Sequence, residues 1–162
     1  MNTEFRIRPM MPSDSDRLEE IIALCFSLFL RFFALHSLDS AGKTLVTETQ
    51  DGTVVGFAKL IKFQESGAKY GCILWIAVHP QYRLRGIASA LVNEGVEHLK
   101  CDGVKAVFAS VWRRNLASLA TFRKQGFKKT GLVELWRLFS WRTFKLYTDI
   151  WLAPGEFVLM HC

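Results

Sequence analysis

Apolar positions in the first third of the chain follow a helical period after a short extended start. Phe5 to Arg8 reads as an edge strand, ended by Pro9 and Pro12. Ser13 followed by Asp16 has the form of a capping box. It predicts a helix with Leu18, Ile21, Ile22, Cys25, Phe29 and Phe32 on one face. From Cys25 to Leu35 the pattern is apolar nearly all round, more than one buried stripe requires. Either two helices cover a sheet here, the reading we take, or some of this surface meets a partner, a homodimer included.

The next segments alternate strands and helices. Thr44 to Thr49 reads as a strand, Asp51-Gly52 as a hairpin turn, and Val54 to Phe63 as the returning strand. A polar loop with Glu65, Ser66 and Gly67 leads to Cys72–Val78, a continuous apolar run of the kind found in strands buried on both faces. From Gly86 onward, Ile87, Leu91, Gly95 and Leu99 mark an amphipathic helix. Asp102-Gly103 turns into a strand over Val104–Val111, and Asn115 to Gln125 is a helix stopped by Gly126. The Trp- and Phe-rich remainder holds a penultimate strand and a last one, Phe157–Met160, separated by Leu152–Pro154 and Gly155. The pattern predicts one α/β (α+β) domain over 1–162: a mixed sheet with helices on both faces.

Composition narrows the classes. With 162 residues, 50% apolar and 13% aromatic, the chain can bury a core without metals or disulfides. No stretch reaches the roughly 20 apolar residues of a membrane span, and no apolar run precedes the first acidic residues as in a secretory signal. A soluble, cytoplasmic protein is expected. Cys25, Cys72, Cys101 and Cys162 form no C-x-x-C pair, and the four histidines no ligand pair, so no metal is expected. The net charge of +6 suits nucleic acid, an anionic surface or a phosphorylated ligand. The cations are spread along the chain without a basic run, which argues against nucleic acid.

The chemistry concentrates between Ile73 and Val92. A buried strand enters the loop Arg83-Leu84-Arg85-Gly86-Ile87-Ala88, which opens directly into a helix. The first N–H groups of a helix have no internal partner and the macrodipole makes that end positive, so such a junction binds anions. Gly86 and Ala88 allow close approach, and Arg83 and Arg85 add charge. Neither a G-x-x-x-x-G-K-[ST] nor a G-x-G-x-x-G spacing is present.

This segment resembles the acetyl-CoA signature of the GNAT superfamily of N-acyltransferases, [QR]-x-x-G-x-[GA] after a strand ending in V-x-P. Here Val78-His79-Pro80 precedes Arg83-Leu84-Arg85-Gly86-Ile87-Ala88. Asn115 followed by Gly126-Phe127 matches a second family pattern, and Val54–Ala58 after the Asp-Gly turn looks like the family's second and third strands. The resemblance covers roughly residues 3 to 130. It implies a mostly antiparallel sheet whose fourth and fifth strands splay apart, with acetyl-CoA as cosubstrate and an amine as acceptor. By the same resemblance, the backbone of Ile76, Ala77 and Val78 holds the pantetheine and the N–H groups from Arg83 to Ala88 cradle the pyrophosphate. The Val78 N–H faces the developing oxyanion. Asn115 is the partner of the pantetheine or of a catalytic water, and in its own right a helix N-cap.

Two positions depart from the family. Phe122 stands where the family's acid is typically Tyr, beside the departing thiolate. On the fourth strand, where a Glu or Tyr base is frequent, the nearest candidates are Cys72 and, facing it from the fifth strand, Ser110. Both also read as core filling, with Glu65 and Tyr70 as alternatives. The aromatic segments Phe26–Phe33 and Trp136–Trp151 fall where the family builds its acceptor pocket. The implied function is acetyl transfer to a protein N-terminus, a lysine or a small amine. The alternative is a catalytically weak acetyl-CoA-binding regulatory module.

Overall fold

In the computed structural model, which describes residues 4–65, 67–143 and 155–162, seven strands form one mixed sheet. β1 (Phe5–Pro9), β2 (Lys43–Thr49), β3 (Val54–Glu65) and β4 (Ala68–Val78) are antiparallel neighbours in sequence order. β5 (Val107–Trp112) lies parallel to β4, and β7 (Glu156–His161) pairs antiparallel with both β5 and the two-residue β6 (Lys128–Lys129). The order is β1-β2-β3-β4-β5-β7-β6, mostly antiparallel as expected.

Helices cover both faces. On one, α3 (Ile87–Cys101) and α4 (Leu116–Lys124) set Leu91, Val92, Val96, Leu99 and Phe122 against Leu45, Ala58, Ile73 and Val107. Gly95 permits this contact, because a Cβ there would stand 3.0 Å from the Leu60 side chain. On the other, α1 (Ser15–Cys25) and α2 (Leu28–Leu38) pack Leu18, Ile21, Ile22 and Ala34 on Val46, Phe57 and Ala77. Further along this face, α5 (Leu132–Phe139) buries Leu135 and Phe139 against Tyr70, Cys72 and Phe108.

Several expectations are corrected by tertiary contacts. The apolar stretch does form two helices, but Phe29 and Phe32 leave the core face and are 71% and 69% exposed. Extended backbone at Phe26 and Ser27 resets the helical phase, so spacing counted across it fails. The first helix begins at Ser15, without the Ser13–Asp16 capping box. Asp14 instead accepts the Met11 N–H (2.7 Å) and two bonds from Arg8 (2.7 and 3.0 Å). β3 runs to Glu65 and β4 starts at its register partner Ala68, so the two strands pair up to the polar stretch. Tyr70 stacks on Phe63 across the two strands at 5.7 Å, and buried Glu65 takes an ion pair from Arg142. β5 begins at Val107 instead of Val104, whose N–H is held by Leu99 C=O. α5 and β6 were not foreseen. The expected penultimate strand falls on residues outside those described.

Candidate active site

The sheet is joined and then parted along one seam. β4 and β5 pair only at Gly71↔Val107 and Cys72↔Phe108. Just beyond, the β3–β4 register steps from Leu60↔Ile73 to Lys59↔Trp75, leaving Leu74 as an extra residue. Such a bulge bends its strand and ends regular pairing. From there β4 and β5 splay, and a cleft of about 500 Å³ opens between them, lined by Ile76, Ala77 and Val78 on one side and Asn115, Ser118 and Thr121 on the other.

Hydrogen-bond alternation decides which backbone groups face this cleft. The His79 N–H donates to Val55 C=O at 2.8 Å, which makes Gly56↔Val78 a non-hydrogen-bonded pair. The N–H and C=O of Val78 therefore turn away from β3 and into the gap, as do those of Ile76, while Ala77 faces β3. The Val78 carbonyl accepts from Arg83 Nε (3.1 Å) and from Cys25 Sγ (3.4 Å), and Arg83 Nη2 lies 3.3 Å from the same sulfur.

The loop after β4 is built to present N–H groups. A turn over Pro80–Tyr82, with Gln81 N–H on His79 Nδ1 (3.4 Å), leads to left-handed backbone at Leu84 (φ +63°) and Gly86 (φ +81°). Such backbone turns N–H groups into an anion-binding concavity. Leu84 is fully exposed and holds this conformation at a cost of about 1–2 kcal/mol. The first bond of α3 runs from Ala90 N–H to Gly86 C=O at 3.0 Å, so the N–H groups of Ile87, Ala88 and Ser89 have no partner within the helix. All three residues line the cleft. Arg85 points elsewhere, to Glu4 at 3.3 Å and over the Tyr82 ring at 5.3 Å.

A strand pair that splays beside an N–H-rich helix start has counterparts among known proteins. The model of the Acetyltransferase (GNAT) family matches residues 10–127. This chain belongs to that family. It is 28% identical over 132 residues to "N-acetyltransferase 8F1" of Rattus norvegicus, covering 79% of this chain and 60% of that protein. It is 25% identical over 141 residues to an "N-alpha-acetyltransferase" of Saccharolobus solfataricus, covering 81% of this chain and 84% of that one. The chain thus spans about 60% of the rat relative's length. Its fold matches a NatC complex bound to Gag peptide and CoA (TM-score 0.67, 16% identity, 97% of each chain). It also matches the paia N-acetyltransferase of Thermoplasma acidophilum with coenzyme A (TM-score 0.69, 16% identity, 96% and 97% covered).

The GNAT site gathers some of the residues singled out in the sequence and leaves others apart. Ile76, Ala77, Val78, Arg83, Leu84, Gly86, Ile87, Ala88 and Asn115 line the cleft, with Arg85 on the intervening loop. Asn115 caps α4, its Oδ1 accepting the Ser118 N–H at 3.1 Å. Phe122 is not at the cleft wall. Its ring is buried edge-on to Phe127 at 5.0 Å, because this face of α4 turns into the core and the next residue round, Thr121, faces the gap. Cys72 is also away from the cleft, at the closed end of the seam between Tyr70, Phe108, Leu135 and Phe139. Complete burial pushes its thiol far above the ordinary range, so it is a poor proton acceptor there. Ser110 is half-buried opposite Val158 on β7, on the sheet face of Phe108. Glu65 and Tyr70 lie at the far end of the β3–β4 hairpin, where burial and the nearby Glu65 charge raise the Tyr70 phenol. Among the described residues, no cluster suits a metal ion.

Cys25, Phe26 and Tyr82 also line the cleft; Phe26 opens the aromatic segment expected at the acceptor pocket, whereas Cys25 and Tyr82 are not among the site residues the sequence singles out. Tyr82 lies within the signature segment and was legible by adjacency. Nothing local marks Cys25, which reads as one more apolar position of α1 until the fold sets it against Val78.

Proposed function

We infer that this chain is one domain of an acetyl-CoA-dependent N-acetyltransferase, passing the acetyl group to a primary amine by direct attack. The observation that carries this is the Val78 N–H turned into the splayed seam beside the unpartnered N–H groups that open α3. Anionic phosphates suit the second, and an amide-bearing arm laid along the edge of β4 suits the first. The cosubstrate supplies an activated acyl group with a thiolate leaving group. The chain's own contribution is to bind and orient. The N–H groups from Leu84 to Ala88 hold the pyrophosphate, the Arg83 N–H being turned to Pro80 C=O, and the backbone of Ile76 and Val78 holds the pantetheine. The Val78 N–H meets the oxyanion as it forms, and Asn115 closes the opposite wall. Named relatives that are N-acetyltransferases, and neighbours solved with CoA, support the same reading. The cytoplasm is the compartment we assign, where the four cysteines, unpaired in the structure, keep their thiols.

A module that binds acetyl-CoA without turnover is the rival, favoured by one observation: Phe122 provides no acid and its ring is in the core. A thiol with a pKa near 8.5 leaves tolerably without an acid, so turnover does not require one. Release of free CoA thiol from acetyl-CoA with a panel of amines decides. Amine-dependent release above background supports the transferase; none on any amine, with CoA bound, supports the module.

A further inference from the structure

Cys25 is the last residue of α1, and its thiol is held at one point of the cleft wall. The helix stops there as Phe26 becomes extended (φ −116°), and the Phe26 ring, edge-on to Trp75 at 5.4 Å, pins that end to β4. The Cys25 S–H donates to Val78 C=O at 3.4 Å. Arg83 grips both partners, Nε donating to the same carbonyl at 3.1 Å and Nη2 reaching the sulfur at 3.3 Å. Val78 carries its N–H and C=O on the same edge of β4, both turned into the gap. A thiol bonded to that carbonyl therefore stands beside the N–H that meets the oxyanion. Cys25 is half-buried and lines the cleft, whereas Cys72 is enclosed at the other end of the seam.

Resting on the transferase reading above, we propose that Cys25 is a catalytic proton relay, giving its S–H proton to the departing sulfur of the cosubstrate. The amine nitrogen forms the C–N bond and gains a positive charge while the C–S bond breaks. Cys25 hands its proton to the leaving sulfur and takes one back from the nitrogen. The sum is one amide and one free thiol, and Cys25 ends as it began. An alkyl thiol and an alkyl thiolate hold a proton about equally well, so it passes between them with little change in free energy. Acid–base help is effective under that condition. A serine hydroxyl at the same place would keep the bond to Val78 C=O but would hold its proton too tightly to yield it to a thiolate.

Position is tested first, without an acceptor. When the protein is incubated with CoA disulfide, the Cys25 thiolate should attack the S–S bond, release one CoA thiolate and become a Cys25–CoA mixed disulfide, read by intact and peptide mass. This exchange should run about tenfold or more faster than with glutathione disulfide, because the cradle at the start of α3 holds only the first. Exposed Cys101 and Cys162 should show no such preference, and saturating acetyl-CoA should protect Cys25 alone. Chemistry is tested next, as acetylated product from the fastest of a free-N-terminus peptide, an N-blocked lysine peptide and spermidine. Cys25→Ala and Cys25→Ser should each lower kcat roughly 100-fold, while CoA affinity falls far less. CoA binding without a preferential adduct at Cys25 would overturn the proposal. So would an undiminished kcat in Cys25→Ser, which keeps the hydrogen bond but not the acidity. No product from any acceptor, with the adduct formed, would instead overturn the transferase reading beneath it.

Discussion

The two ends of the β4–β5 seam share strands and composition but do opposite things. At the closed end Gly71 and Cys72 pair with Val107 and Phe108, and the rings of Phe63, Tyr70, Phe108 and Phe139 pack with centroids between 4.9 and 6.2 Å. At the open end, past the bulge at Leu74, Val78 directs its backbone into a cleft instead of a neighbouring strand. Cys72–Val78 is a single apolar run, so hydropathy does not distinguish the two. Backbone pairing does. The aromatic cluster pins the strands where they meet, and the helix ends α3 and α4 hold them apart where they do not. A thiol at the closed end is core; a thiol at the open end, Cys25, is site wall.

Two substitutions and one labelling experiment test whether the ends are separable. The largest effect is expected at the pin. Phe108→Ala empties the centre of the aromatic cluster and should cost about 3–5 kcal/mol in urea unfolding. CoA affinity of the molecules that remain folded should change little. If it drops as steeply as stability, the two ends are one unit and the comparison fails. Next in size is Gly86→Glu. The residue sits at φ +81° with open space where a side chain would go, so the apo protein should lose only about 1 kcal/mol. A carboxylate at the phosphate cradle should weaken CoA binding about 100-fold or more, a loss of about 2.7 kcal/mol, read by calorimetric titration. Unchanged affinity would move the phosphate site elsewhere.

The smallest effect is a difference in thiol labelling rates. Exposed Cys101 and Cys162 should label first and Cys25, half-buried in the cleft, more slowly. Cys72, fully buried and strongly protonated, should label only when the protein unfolds. Saturating CoA should slow Cys25 several-fold and leave Cys101 and Cys162 unchanged. Native-state labelling of Cys72 at the rate of Cys25 would mean that the closed end is open after all.

The anion-binding loop was legible because its requirements are local. Gly86 supplies the left-handed turn, the helix begins at once behind it, and Asn115 announces the start of α4 by its own capping chemistry. The same locality carried the Asp51-Gly52 hairpin, α3 and the long strand through Val78. The catalytic candidates were not legible in this way. Cys72, Ser110 and Phe122 were placed by their distance along the chain from a motif, and distance does not say which face of a strand or helix reaches the gap. A bulge of one residue at Leu74 and the rotation of α4 decided that.

From its sequence alone, the chain determined an alternating mixed sheet, the helix starts and a phosphate-cradling junction. Each of these depends on residues within a few positions of one another, where backbone preference and period suffice. Tertiary structure decided where α1 ends and α2 turns outward, and that Leu132–Phe139 in the aromatic-rich remainder form a helix. It also decided that Cys25, and not Cys72, meets Val78. Those outcomes depend on contacts between segments distant in the chain, such as Arg83 and Cys25 converging on one carbonyl, and no local pattern encodes them.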